Sequence, residues 1–213
     1  MRIKWLGHAC FKITSAKGVR ILTDPFDDNV GYPLPQVEAD IVTVSHQHFD
    51  HNFIDCVKGN FEVVSKVGNF YVKDINITGV HTYHDEENGK KRGDNIVYVF
   101  DVDGIRVCHL GDLGHILSPA QVEMIGRVDV LLIPVGGIFT VDSDKAETIV
   151  KLLNPKIVIP MHYKTEPLKF NLDPVDNFIK RFSNVERLKG QVVEIKNEDL
   201  NMNELKVIVL NYK

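Results

Sequence analysis

The chain has 213 residues, 44% of them hydrophobic and 25% charged, a balance that supplies a full apolar core for one domain over residues 1–213. Its net charge of −4 gives no electrostatic case for nucleic acid or an anionic membrane as a partner, and no stretch approaches the roughly 18–20 apolar residues of a membrane span. The three cysteines (Cys10, Cys56, Cys108) never stand in CxxC spacing and read as buried free thiols of a cytoplasmic protein.

The first segments, "RIKWL", "CFKIT" and "VRILTD", alternate apolar and polar residues or run in short apolar blocks, as strands do. The start lacks the continuous apolar run and small-residue cleavage site of a signal peptide. Asp24-Pro25 closes this part because proline interrupts a ladder, and "NVGYPLPQVE" reads as a loop. "ADIVTVS" is apolar and β-branched, like a strand buried on both faces. "FEVVSK" and "DINITGVHTYH" are further strands, then "DEENGKKRGD" is a charged loop. "NIVYVFDVDGIRVCHLGD" reads as a hairpin about Asp103-Gly104. In "LSPAQVEMIG", Ser118 is an N-cap, Pro119 sits at the first helical position, Gln121 completes a capping box, Leu117 and Val122 form a hydrophobic staple, and Gly126 is the stop. "VDVLLIPVGG" is a buried strand with a glycine turn. "SDKAETIVKLLN" puts Ala146, Ile149, Val150 and Leu153 on one helical face. "KIVIPMHY" is a strand, "LDPVDNFIKRF" starts another helix, and "GQVVEI" and "LKVIVLNY" close as strands. Two sheets with helices outside them would bury all these faces.

Nine histidines are present, and three of them crowd into "VSHQHFDHN" with an aspartate. At the end of an extended strand, His46 and His48 point the same way and can face one metal. Asp50 and His51 follow where the chain turns and suit a second ion beside the first. The remaining ligands must come from distant segments. His84 ends "GVHTYH", Asp112 ends "VCHLGD" and His162 ends "IVIPMH", each at a strand end, and a carboxylate such as Asp112 can bridge two cations. Two metals roughly 3.5–4 Å apart make a hydrolytic site that needs no serine or cysteine nucleophile.

The H-x-H-x-D-H pattern of "SHQHFDH", with "WLGHACFKI", "TDPF", "HLGDLGH", "IPVGGIFTVD" and "IPMHY" in the same order, resembles the metallo-β-lactamase superfamily, in its branch of small prokaryotic hydrolases that includes L-ascorbate-6-phosphate lactonase. The resemblance covers most of residues 1–170. It implies an α/β, four-layer αβ/βα sandwich with the site at one edge of the two sheets. It places His46, His48 and His84 on one metal, Asp50, His51 and His162 on a second, with Asp112 bridging, and makes Asp24 an orienting residue, as metal-bound imidazoles require. It also brings His8 near the site.

Other candidates follow from position. His115, three residues after Asp112, is expected on the rim in a substrate or general-acid role, and Asp50 or a nearby histidine would move protons. His81 is the rival of His84 and is read as a substrate or supporting group, because residues 81 and 84 face opposite sides of a strand. Tyr163 follows the last ligand and is placed to bond a substrate oxygen. Arg92, with Lys90 and Lys91, is either a solvated loop residue or an anion-binding rim. His109 is read as structural. The expected function is a binuclear hydrolase using a metal-bound hydroxide on a small ester, lactone or phosphoester, with two divalent ions, zinc before manganese and iron last. The alternative is an iron-dependent oxidoreductase or dioxygenase on the same fold. The expected partner is a small-molecule substrate, with no nucleic acid and no membrane; a homo-oligomer is compatible with the branch.

Overall fold

The computed structural model describes residues 1–212. Alternation sorts the first strand onto two faces. In β1 (Arg2–Gly7), Ile3, Trp5 and Gly7 are buried, while Arg2, Lys4 and Leu6 turn outward. β1 pairs antiparallel with β2 (Cys10–Thr14), which pairs antiparallel with β3 (Arg20–Thr23). β4 (Ile41–Thr43) and β5 (Glu62–Val64) add to β3 in parallel. In the second sheet, β6 (Gly68–Val72), β7 (Ile75–Tyr83), β8 (Asp94–Val102) and β9 (Ile105–His109) form an antiparallel meander. Asp103 and Gly104 both take positive φ at its last turn, the geometry a two-residue hairpin favours.

Parallel strands then follow with helical crossovers. α1 (Pro119–Ile125) carries the reciprocal capping box between Ser118 and Gln121. β10 (Val130–Pro134) leads to α2 (Ser143–Leu153), which β11 (Ile157–Met161) follows. The cap of α2 is Asp142, whose carboxylate accepts the Asp144 and Lys145 N–H groups, and Ala146, Ile149, Val150 and Leu153 are its buried stripe. α3 (Asp176–Ile179) is a single turn and shorter than the Asp-Pro start promised. β12 (Val185–Arg187), β13 (Val192–Glu194) and β14 (Lys206–Val209) complete the sheets. The orders are β13-β1-β2-β3-β4-β5 and β12-β14-β11-β10-β9-β8-β7-β6. β6 and β12 lie outside the strands legible in the sequence. Both are sheet edges, and their extended form depends on the ladder groups that β7 and β14 offer.

The facing sides of the sheets share one core. Trp5, Phe11 and Ile13 from the first sheet and Ile77, Tyr98, Phe100 and Leu132 from the second belong to it. The fully buried β10 and β11 are the signature of parallel strands covered on both faces. The outer face of the six-stranded sheet is covered by loops and short 3-10 turns: Cys10, Leu22 and Val42 meet Phe26, Val30, Tyr32, Leu168 and Leu172 there. This completes the sandwich. The three cysteines are free and buried. Among the described residues, no helix is long and apolar enough to cross a membrane.

Topology decides where chemistry can collect. The pairings make β1, β3 and β4 co-directional, and likewise β7, β9, β10 and β11. Their C-terminal ends meet along one edge, the place where open α/β sheets bind ligands. Bonds between the sheets lock that edge. His162 N–H donates to the His8 carbonyl (3.2 Å), Ile96 N–H to the Ser45 carbonyl (2.9 Å) and His109 Nε2–H to the Ala9 carbonyl (2.8 Å). The last of these gives His109 the structural role expected of it.

Candidate metal centre

The turn after β4 brings the signature residues to the junction of the sheets. Extended backbone stops at Thr43, so His46 and His48 lie in a bend and not on a strand. Their rings still come together, 4.6 Å between centroids and nearly perpendicular. His46, His48 and His84 form one set of potential ligands, and His8, Asp50, His51 and His162 form a second. Within each set the ligating atoms lie within 4.8 Å of one another. Asp112 stands between the sets. Its Oδ2 lies 3.2 Å from His51 Nε2, 3.2 Å from His84 Nε2, 3.3 Å from His162 Nε2 and 4.0 Å from His46 Nε2.

Asp24 fixes a ligand of each set. It is fully buried at the end of β3, and its Oδ1 accepts the Ser45 N–H (2.8 Å). Its Oδ2 accepts from His51 Nδ1–H (2.9 Å) and from the Ser45 hydroxyl (2.6 Å). With its proton given to Asp24, Ser45 Oγ accepts from His46 Nδ1–H (2.9 Å). Nδ1–H is thereby fixed on both imidazoles, which leaves Nε2 as the nitrogen turned toward Asp112, the one a ligating histidine needs. Ser45 was missed in the sequence; its place beside the first histidine was the available signal.

Asn95 does similar work for Asp112. Its Oδ1 accepts the Asp112 N–H (2.9 Å), while its amide donates to Thr82 Oγ1 (2.8 Å) and the Leu110 carbonyl (3.0 Å). Close backbone approach explains two glycines. A Cβ on Gly114 would overlap the backbone of His84 and Asp85, and one on Gly136 would overlap the His162 carbonyl. His8, Asp24 and His162 all take positive φ, at 52°, 42° and 50°. Such backbone is uncommon outside glycine and concentrates at functional sites.

The carboxylates and His46 stand in the forms that suit cations, while His51 must release a proton to ligate. Burial alone would lower His51, but Asp112 and Asp50 outweigh it and raise it well above the ordinary imidazole value. Burial, with His51 beside it, pushes His46 down to about 3. Burial would raise Asp112 and Asp50; the surrounding histidines instead hold both well below the usual carboxylate range. His8 falls to about 4 through burial and its neighbour His162, although its Nε2–H donates to Asp50 Oδ2 at 3.1 Å. Ionised carboxylates and a neutral His46 are the forms that give lone pairs to a metal. His46 Nε2, His51 Nε2 and Asp112 Oδ1 are buried without a hydrogen-bond partner. Each such orphan costs about 1–3 kcal/mol in an all-protein interior, and a divalent cation would satisfy all three.

The remaining candidates part ways. His8 touches Asp50 and joins the second set. His81 is half-exposed, pairs with Asp94 (2.9 Å) and stays outside both sets. His115 gives its Nδ1–H to the Ile116 carbonyl (2.8 Å) and accepts the Tyr83 N–H on Nε2 (3.1 Å). Both ring nitrogens are spent on backbone and His115 does not line the cleft, which corrects the general-acid expectation. Tyr163 is likewise corrected: it is buried, packs on Trp5 at 5.3 Å and directs its hydroxyl to the Leu210 carbonyl. Arg92 does reach the site. A cleft of about 330 Å³ opens over the cluster, and Arg92, Phe49, Phe139 and Phe170 form its walls. None of the three phenylalanines was singled out in the sequence, because aromatic residues in loops carry no periodic signal.

Comparison with known proteins gives the chain's family and fold. Residues 2–162 match the family model described as a beta-lactamase superfamily domain. A UPF0173 metal-dependent hydrolase of Thermococcus onnurineus is 31% identical, over 78% of this chain and 86% of its own length. One from Archaeoglobus fulgidus is 30% identical, over 92% and 94%. A crystal structure from Thermotoga maritima, described as a putative zinc-dependent hydrolase, is 50% identical and superposes with a TM-score of 0.83, covering 98% of this chain and 97% of that one.

Proposed function

This chain belongs to the metallo-β-lactamase superfamily, and from that premise we propose that it is a binuclear hydrolase of a small ester, lactone or phosphoester. The observation that carries the reading is the single oxygen, Asp112 Oδ2, lying 3.2–4.0 Å from four histidine Nε2 atoms that divide between two ligand sets. In this reading His46, His48 and His84 hold one divalent ion, Asp50, His51 and His162 hold the other, and Asp112 is shared. Zinc suits the histidine-rich set best, with manganese next. Bound there, the ions would polarise the scissile carbonyl or phosphoryl oxygen and lower the pKa of a water to make it a nucleophile near neutral pH.

The protein's own part is orientation. Asp24 and Ser45 set the tautomers of His46 and His51. His8 holds one oxygen of Asp50 through Nε2–H, which fixes the orientation of that carboxylate toward the second ion it would hold.

The test is metal content per chain, measured on protein purified without a histidine tag, followed by an ester, lactone and phosphodiester panel with the metal found. Two zinc or manganese ions with turnover supports the proposal. One iron without hydrolysis redirects it to oxygen chemistry. No metal under replete conditions refutes it.

A further inference from the structure

The cleft walls say more about the substrate than the metal cluster does. Phe170 stands at the centre of the wall with Phe49 and Phe139 on either side. Its ring is edge-on to both, at centroid distances of 6.1 and 6.4 Å. Phe49 and Phe139 remain 49% and 39% exposed, and their neighbour Ile138 is 55% exposed. Leaving several large apolar side chains open around one small cleft marks a surface that awaits an apolar ligand.

Arg92 is the one Lys or Arg lining this cleft among the described residues. Its guanidinium lies 5.1 Å from the Phe139 ring centroid, and a single bond of 3.3 Å ties it to the Ile138 carbonyl. Among the described residues no carboxylate pairs with it, which leaves most of its five N–H donors available to a ligand. The position is prepared in advance. Asp85 accepts four backbone N–H groups, from Glu87, Gly89, Lys91 and Arg92 itself, at 2.7–2.9 Å. This knots residues 85–92 into a fixed loop, and Glu86 pins it further to Lys145 at 2.7 Å. A stacked, pre-positioned guanidinium with free donors is built to receive a carboxylate or similar anion in its fork.

We propose that the physiological substrate class is an aryl or comparably flat apolar ester or lactone bearing an anionic group within about one ring's length of its apolar part. The flat group packs into the Phe49–Phe139–Phe170 cup, and the anion docks on Arg92. The close spacing of Arg92 and Phe139 is what demands that the two features sit near each other. This rests on the hydrolase reading above.

The test compares kcat/KM of the metal-loaded enzyme on four acetate esters that all release an alkoxide: aryl with a carboxylate (4-(acetoxymethyl)benzoate), neutral aryl (benzyl acetate), aliphatic with a carboxylate (3-acetoxypropionate) and neutral aliphatic (ethyl acetate). The expected order puts the aryl carboxylate first, by about 10-fold or more over either single-feature ester. Arg92→Ala should collapse the preference for anionic over neutral aryl ester to near 1. Phe170→Ala should collapse the preference for aryl over aliphatic. Hydrolysis without an anion preference, or Arg92→Ala slowing charged and neutral aryl esters equally, overturns the proposal and leaves the hydrolase reading standing. Absence of all hydrolysis counts against the reaction. The substrate class is then decided by calorimetry with 4-hydroxybenzoate on metal-loaded wild type and Arg92→Ala. Weaker binding to the variant supports the class, and equal binding overturns it.

Discussion

Asp24→Asn separates charge from shape at the point where both ligand sets are oriented. The backbone tolerates the change, since asparagine enters the positive-φ region at least as readily as aspartate. The Ser45 N–H at 2.8 Å keeps the amide oxygen at the Oδ1 position, so the new NH2 group must occupy the Oδ2 position. It would there face His51 Nδ1 and Ser45 Oγ, which now sit 2.9 and 2.6 Å from a carboxylate oxygen. Two donors in opposition are untenable. His51 Nδ1 must give up its proton and accept, and Ser45 Oγ must accept from the amide and donate onward to His46 Nδ1. Each reversal moves a proton onto the Nε2 that should ligate. Loss of such an orienting partner costs about 10–100-fold in metal affinity, or about 1.4–2.7 kcal/mol per site. Chelator competition on the reconstituted variant measures this, and imidazole ¹⁵N shifts of the metal-free protein report the tautomers. Wild-type affinity at both sites, with unchanged tautomers, would refute the reasoning.

Further expectations follow from the same geometry. Asp112→Ala should remove both metals, and elemental analysis that still finds one full equivalent would show that the carboxylate is not shared. His84→Ala should weaken metal binding by about 10-fold or more, whereas His81→Ala, outside both ligand sets, should leave it near wild type; titration with zinc distinguishes them. Gly136→Ala should destabilise the fold by about 1–3 kcal/mol, because its Cβ has no room beside the His162 carbonyl, and a midpoint in urea equal to wild type would contradict this. Burial would raise the Asp85 carboxyl, but the four backbone N–H groups it accepts bring it down to about 2. Its folded value lies below the unfolded 3.8, so its stabilisation is complete above that pH and lost as pH falls through about 2. Protection of amides 87–92 should follow that window in hydrogen exchange. Asp85→Asn should abolish the dependence.

Whatever depends on neighbours along the chain was legible before folding. The sequence located the strand blocks, the Ser118–Gln121 cap and the Asp103-Gly104 turn, because alternation, capping and positive φ are short-range demands. It exposed the H-x-H-x-D-H turn, and it placed His84, Asp112 and His162 at strand ends, since a short apolar run advertises its own terminus. It could not decide which polar groups meet across the chain. His8 finds Asp50 at a separation of 42 residues, and Asp24 finds Ser45 at 21. His115 loses its nitrogens to backbone groups that only packing brings near. The edge strands β6 and β12, the Asn95 brace on Asp112 and the convergence of three phenylalanines beside Arg92 were likewise settled in three dimensions. The physical reason is common to all of them. A hydrogen bond or a ring contact is an interaction between surfaces, and only the docking of one sheet edge against the other fixes which surfaces are opposed.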